Sequence, residues 1–108
     1  MVGKVIYATS FIDYLDRLTY ELYIYNYFSY IESSFDYTDD IYDFIEKNIF
    51  FLKSNLTPKE LAVFGKYYIS FSPNNRTTWY ILFDKTDEDI YVTFIFNNHV
   101  KYASYLEL

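Results

Sequence analysis

Apolar residues recur along this chain with two different periods, and the change from one to the other divides it. Leu15, Leu18, Leu22, Tyr25 and Phe28 recur at helical spacing and mark the buried stripe of an amphipathic helix. Ser10, with Asp13 three residues on, reads as its N-cap in a variant of the capping box. The helix is expected to end near Ile31 or Glu32, where Ser33-Ser34 breaks it. A second helix is predicted from 36–39 onward, because Tyr37, Ile41, Phe44, Ile45, Asn48, Ile49 and Leu52 share one face. Asp36, Asp39 and Asp40 would sit at its start and Lys47 and Lys53 near its end, each sign where the helix dipole favours it. Asn55 to Pro58 stops this helix. Thr57 and Pro58 suit the opening of a helical turn, which Gly65 ends.

Beyond Gly65 the period is two. Residues 66–72, 77–84 and 89–97 read as strands, separated by the polar turns Ser72-Pro73-Asn74-Asn75 and 85–88. Three strands with short turns make an antiparallel meander. Residues 2–8, with Val5, Ile6 and Tyr7 of strong β preference, are expected to add a further strand. The fold expected is α+β, in the order β-α-α-β-β-β: a helical hairpin packed on a small antiparallel sheet, with residues 1–108 as one domain.

Alternation assigns the two faces of the meander. Tyr67, Ile69 and Phe71, then Trp79, Ile81 and Phe83, then Val92, Phe94 and Phe96 form the bulky apolar set, expected against the helices. The opposite face holds Tyr68, Ser70, Thr78, Tyr80, Leu82, Tyr91, Thr93, Ile95 and Asn97. With unbroken parity, Lys66, Arg76 and His99 fall on that same face.

Composition changes this picture in three ways. Tyr and Phe supply 15 and 11 residues, and with Trp79 they make 25% of the chain. Such side chains bury large areas, and tyrosine keeps a polar tip, so many tyrosines are expected at the core boundary with the ring in and the hydroxyl out. There is no cysteine and one histidine, which excludes disulfides, a thiolate nucleophile and any cysteine or multi-histidine metal site. No metal or cofactor is therefore expected. No window approaches the roughly 18 apolar residues of a membrane span, and residues 1–9 lack a secretory signal; the cytoplasm is the expected location, with no membrane partner.

The net charge of −6 resides in residues 1–50, while residues 51–108 balance six basic against six acidic groups. Bulk nucleic-acid binding needs clustered Lys and Arg, so an anion-binding surface is expected only in the second half.

Three stretches, Leu61 to Phe71, Asn74 to Asp84 (Asn-Asn-Arg-Thr-Thr-Trp at its start) and Tyr91 to His99 (ending Asn-Asn-His), resemble RelE/ParE-type toxins of type II toxin–antitoxin systems. The opening Val5 to Leu15 also looks like the first strand of those toxins running into the first helix. The resemblance extends over nearly the whole chain, through loose motifs and element order. It implies a toxin that either cleaves mRNA at the ribosome or binds and poisons DNA gyrase, and that a cognate antitoxin neutralises by wrapping its active face; a degenerate, non-toxic interaction module keeping the fold is a further alternative. For cleavage the resemblance implies Arg76 at the start of the middle strand, His99 after the last strand, Lys66 as a further basic residue and Glu60 as a base.

The chemistry would be metal-independent transesterification. A base takes the 2′-hydroxyl proton, the oxygen attacks the adjacent phosphate, and an acid protonates the departing 5′-oxygen. Arg76, helped by Lys66, would stabilise the phosphorane charge, and His99 would serve as acid or base, its ordinary pKa of about 6.5 suiting either. Each residue also has an ordinary reading: Arg76 as a solvated arginine after a turn, His99 as a backbone-bonded strand exit, Lys66 as a surface lysine. The chain departs from the ribosome-acting members in its acidity and its lack of a lysine cluster.

Overall fold

The computed structural model describes residues 3–24, 31–100 and 104–106. Strand β1 (Val5–Tyr7) leads into helices α1 (Thr9–Ile24) and α2 (Ile31–Asn48), followed by β2 (Asn55–Leu56), β3 (Tyr67–Phe71), β4 (Trp79–Lys85) and β5 (Ile90–Asn97). The strands lie in the order β1-β5-β4-β3-β2. The α+β class and the meander β3-β4-β5 follow the sequence pattern. The sheet itself is mixed, not antiparallel: β1 pairs parallel with β5, Val5 opposite Ile90. A parallel neighbour needs a long connection, and the two helices with β2, β3 and β4 all lie between β1 and β5. The fifth strand, β2, was not legible. Asn55 and Leu56 pair antiparallel with Tyr68 and Tyr67, and two residues are too few to show alternation.

Helix α1 starts at Thr9, not after Ser10, with the Ala8 carbonyl accepting from Phe11 and Ile12. Its buried stripe is Phe11, Leu15 and Thr19; Tyr25 and Phe28 lie outside the described residues. Ser33 and Ser34 do not break a helix. They lie inside α2, where Ser34, Thr38, Ile41 and Ile45 repeat at three- and four-residue spacing, and Ile49 continues the row just past the helix end. Small residues here let the helices approach. The Thr19 and Thr38 hydroxyls lie 2.9 Å apart, one donating to the other, and each is within reach of a carbonyl one turn back in its own helix. Phe11 packs on Tyr42 while Thr19 meets Thr38, so the helices run antiparallel. With α2 starting at Ile31, Asp36, Asp39 and Asp40 lie beyond its first turn, as a solvated face.

The main core lies between the hairpin and the sheet and includes Phe11, Leu15, Ile41, Ile45, Ile69, Trp79, Ile81, Phe83 and Val92. Tyr7, Tyr14, Tyr37 and Tyr42 sit half-buried at its margin, as the tyrosine excess leads one to expect. The opposite face keeps Tyr68, Tyr80 and Leu82 as parity assigned, but it is covered and gains Phe94 and Phe96. Leu61, Leu82 and Phe96 form a second core there, flanked by Phe64, Tyr68, Tyr80, Phe94 and Leu106. Residues 58–64, a succession of tight turns rather than a helix, lie across it.

The cause of the exchange is a β-bulge. Phe83 pairs with Val92 and Leu82 with Phe94, so Thr93 has no partner on β4. One extra residue reverses the parity of everything after it. Phe94 and Phe96 turn to the outer core, while Ile95 turns inward to the helices, the reverse of the expectation for all three. Thr93 is held in place because its hydroxyl donates to the carbonyls of Phe64 and Leu82. Gly65 makes room for it. A Cβ at that position would lie 2.8 Å from Thr93 Oγ1 and 2.9 Å from the Phe83 nitrogen.

Candidate functional site

The bulge decides where His99 goes. Asn97 pairs with Trp79, whose side chain is buried in the helix-side core, and His99 follows Asn97 on that side. It lies at the rim of a cleft of about 660 Å³ between the hairpin and one end of the sheet. Trp79 and Tyr37 form the floor, with the indole N–H donating to the Tyr37 hydroxyl at 2.9 Å. Tyr14, Leu18, Glu21 and Leu22 of α1 form one wall, and Asn74, Thr77, Asn97 and His99 the other. Burial, then the Glu21 charge, push the Tyr14 phenol above its ordinary pKa, with Arg17 opposing. Tyr14 is therefore a neutral hydrogen-bonding group at physiological pH.

A lattice of hydrogen bonds builds the sheet end of this cleft. Asn74 Oδ1 accepts from the backbone N–H groups of Arg76 at 2.8 Å and Thr77 at 3.0 Å, the local turn for which asparagine side chains are suited. Ser72 and Thr78 join their hydroxyls at 2.8 Å across the same hairpin. Asn97 Oδ1 accepts from the His99 N–H at 2.9 Å, and His99 Nε2 lies 3.3 Å from Thr77 Oγ1. The lattice puts the backbone of Arg76 and the ring of His99 one residue apart across two strand ends. Both residues are exposed, and the Arg76 guanidinium makes no hydrogen bond or ion pair among the described residues.

The other two candidates lie elsewhere. Lys66 precedes β3 at its opposite end, where its backbone N–H donates to Asp84 and its ammonium sits 5.6 Å from the Tyr67 ring. Five strand residues at about 3.3 Å each put roughly 17 Å between it and the Arg76 end. Glu60 is exposed in the turns over the outer core. The structure thus ties the Arg76 backbone, through its carbonyl and Asn98, to the segment that carries His99; His99 lines the cleft and Arg76 does not, and Lys66 and Glu60 lie apart from both. Sequence reasoning missed Asn74, Asn98 and Thr77 as the residues that hold this end; the signal was the pair of Asn-Asn steps, at 74–75 and 97–98, one before each candidate. It also missed Glu21, which gave no sign beyond its place on the first helix.

Among the described residues no group of three or more His, Asp or Glu is placed to hold a metal ion, and no helix is long and apolar enough to cross a membrane. No protein-family model, characterised protein or solved structure matches the chain.

Proposed function

We propose that the protein is a growth-inhibiting toxin of the RelE/ParE kind that cleaves ribosome-associated mRNA in the bacterial cytoplasm, using Arg76 and His99, and is held in check by a cognate antitoxin. The observation that supports this reading is the hydrogen-bond lattice from Asn74 to His99, which ties the Arg76 backbone to the segment carrying His99 at one sheet end, with His99 on the rim of a nucleotide-sized cleft. Arg76, unpaired, is free to bind the phosphate and stabilise the charge that builds on it. His99 supplies the proton transfer, taking a proton from the 2′-hydroxyl or giving one to the 5′-oxygen. Aromatic groups in the cleft suit a base splayed from single-stranded RNA.

Induced expression in bacteria, with RNA integrity and DNA breaks followed in parallel, tests the reading. Arg76→Ala should lower cleavage by on the order of 10²–10³, and His99→Ala by about 10²–10⁴, with thermal melts showing both variants folded. Full toxicity in both folded variants would remove the catalytic assignment.

A second reading is a toxin that binds a protein such as DNA gyrase. The separation of Lys66 and Glu60 from His99, and the net charge of −6, favour it. It forecasts growth arrest with DNA breaks and intact mRNA, surviving His99→Ala.

A further inference from the structure

The β4–β5 ladder ends at the pair Trp79 and Asn97, yet the two chains stay joined for two residues more. Asn98 joins them, largely through its side chain. Its backbone N–H donates to the Thr78 carbonyl at 3.0 Å. Its Oδ1 accepts from the Thr78 N–H at 3.0 Å, and its Nδ2 donates to the Arg76 carbonyl at 3.0 Å. The chain turns at Asn98 and His99, so no further peptide group of β5 faces β4. The side-chain amide, with one acceptor and one donor side by side, takes the place of that missing peptide.

We infer that Asn98 is the positioning residue of the Arg76–His99 site, an assignment that rests on the RNA-cleaving reading above. Asn98 is half-buried and belongs to neither core. The turn into His99 has its own bond, from the His99 N–H to Asn97. The two side-chain bonds of Asn98 therefore serve one purpose, fixing residues 76–78 against the segment that carries His99. Without them the Arg76 backbone keeps only its local tie to Asn74, and residues 76–78 are joined to the His99 segment only by the Asn98 N–H bond to Thr78 and the Thr77–His99 contact.

Asn98→Ala removes both side-chain bonds. Asn98→Asp keeps an acceptor for the Thr78 N–H and loses the donor to Arg76. The full chain would be assayed for RNA cleavage in a translation extract, with thermal melts and NMR of the histidine ring. His99 is the only histidine, so its ring signals are unambiguous. Displacement of a catalytic group by about 1 Å costs on the order of 100-fold in rate. Both variants are expected to stay folded, to lose about that factor in kcat with little change in KM, and to shift the His99 ring signals, Asn98→Asp the less. Should Asn98→Ala fail to fold, Asn98→Asp carries the same comparison. Wild-type kcat in the folded variants, or ring signals that stay in place, would overturn the assignment while Arg76→Ala and His99→Ala remain inactive. Failure of the RNA reading looks different: those two alanine variants then cleave as wild type does, or wild type cleaves nothing, and the assignment falls with it.

Discussion

Gly65→Ala tests the packing on which the bulge depends. A Cβ there meets three atoms inside ordinary contact distance: Thr93 Oγ1 at 2.8 Å, the Phe83 nitrogen at 2.9 Å and Leu82 Cβ at 3.0 Å. The hydroxyl has nowhere to retreat without loosening its bonds to the Phe64 and Leu82 carbonyls. The Phe83 nitrogen belongs to the backbone of a central strand and cannot move alone. Overpacking of this kind costs about 1–3 kcal/mol, and a weakened hydrogen bond adds roughly 1 kcal/mol. Reduced freedom of the unfolded chain returns about 0.4–1 kcal/mol, leaving a net loss of roughly 1–3 kcal/mol. For a domain near this size each kcal/mol lowers Tm by about 4–8 °C, so circular-dichroism melts should show a fall of roughly 5–20 °C. Thr93→Ala in the same chain removes the oxygen contact but not the backbone one, so the double variant should recover part of the loss, with a coupling of about 0.5–3 kcal/mol. A Gly65→Ala protein melting within about 1 °C of wild type would refute the close approach, since even 1 kcal/mol moves Tm by several degrees.

Ser34 is fully buried and, among the described residues, its hydroxyl has no hydrogen-bond partner. Ser34→Ala removes a group whose burial costs about 1–3 kcal/mol and improves helix propensity, so urea unfolding should shift to a higher midpoint at unchanged slope; a lower midpoint would contradict it. Burial, then the hydrogen bond to Glu46, raise the Tyr7 pKa well above its ordinary value, and burial is also the first cause of the upward shifts at Tyr14 and Tyr42. The unfolded chain then loses these protons first. Their contribution is complete below the unfolded pKa of about 10 and falls as pH rises above it, by up to about 1.4 kcal/mol per pH unit for each tyrosine. Urea unfolding across that alkaline range should show the fall, and Tyr7→Phe should flatten it; an equal slope in the variant would remove Tyr7 from the account.

The fold was legible wherever a period ran long enough to be counted. The α2 stripe from Ile41 to Ile49 and the meander strands came through because their patterns span several repeats. The helix boundaries did not. Ser33 and Ser34 have the composition of a break, but Ser34 is small enough to sit at the helix crossing, and tertiary packing overrode a weak local preference. The parallel pairing of β1 with β5 was hidden for another reason. Three residues of strand carry no mark of direction, and the pairing joins the first strand to the last across the two helices and three strands between them.

The site was legible up to Thr93. Before it, alternation assigned every side chain of β3 and β4 to the face it occupies. After it, each assignment reversed, because Thr93 is an extra residue with no partner on β4, its hydroxyl turned to the Phe64 and Leu82 carbonyls. Gly65 and the run Val92-Thr93-Phe94-Ile95-Phe96, bulky on both parities, were the available warnings. The reversal moves His99 away from the face it was to share with Lys66 and Arg76 and sets it beside Thr77, and this bears on the charge problem. Asp13, Asp16, Asp36, Asp39, Asp40 and Asp43 are all exposed on the helices. Exposed charges act weakly beyond a Debye length of about 8 Å at physiological salt. Among the described residues, the sheet wall of the cleft presents amide, hydroxyl and imidazole groups, and Glu21 stands on the facing helix. Under the RNA-cleaving reading proposed above, a net charge of −6 weakens the attraction to RNA as a bulk polyanion, so binding would have to rest on local groups of the cleft and on Arg76.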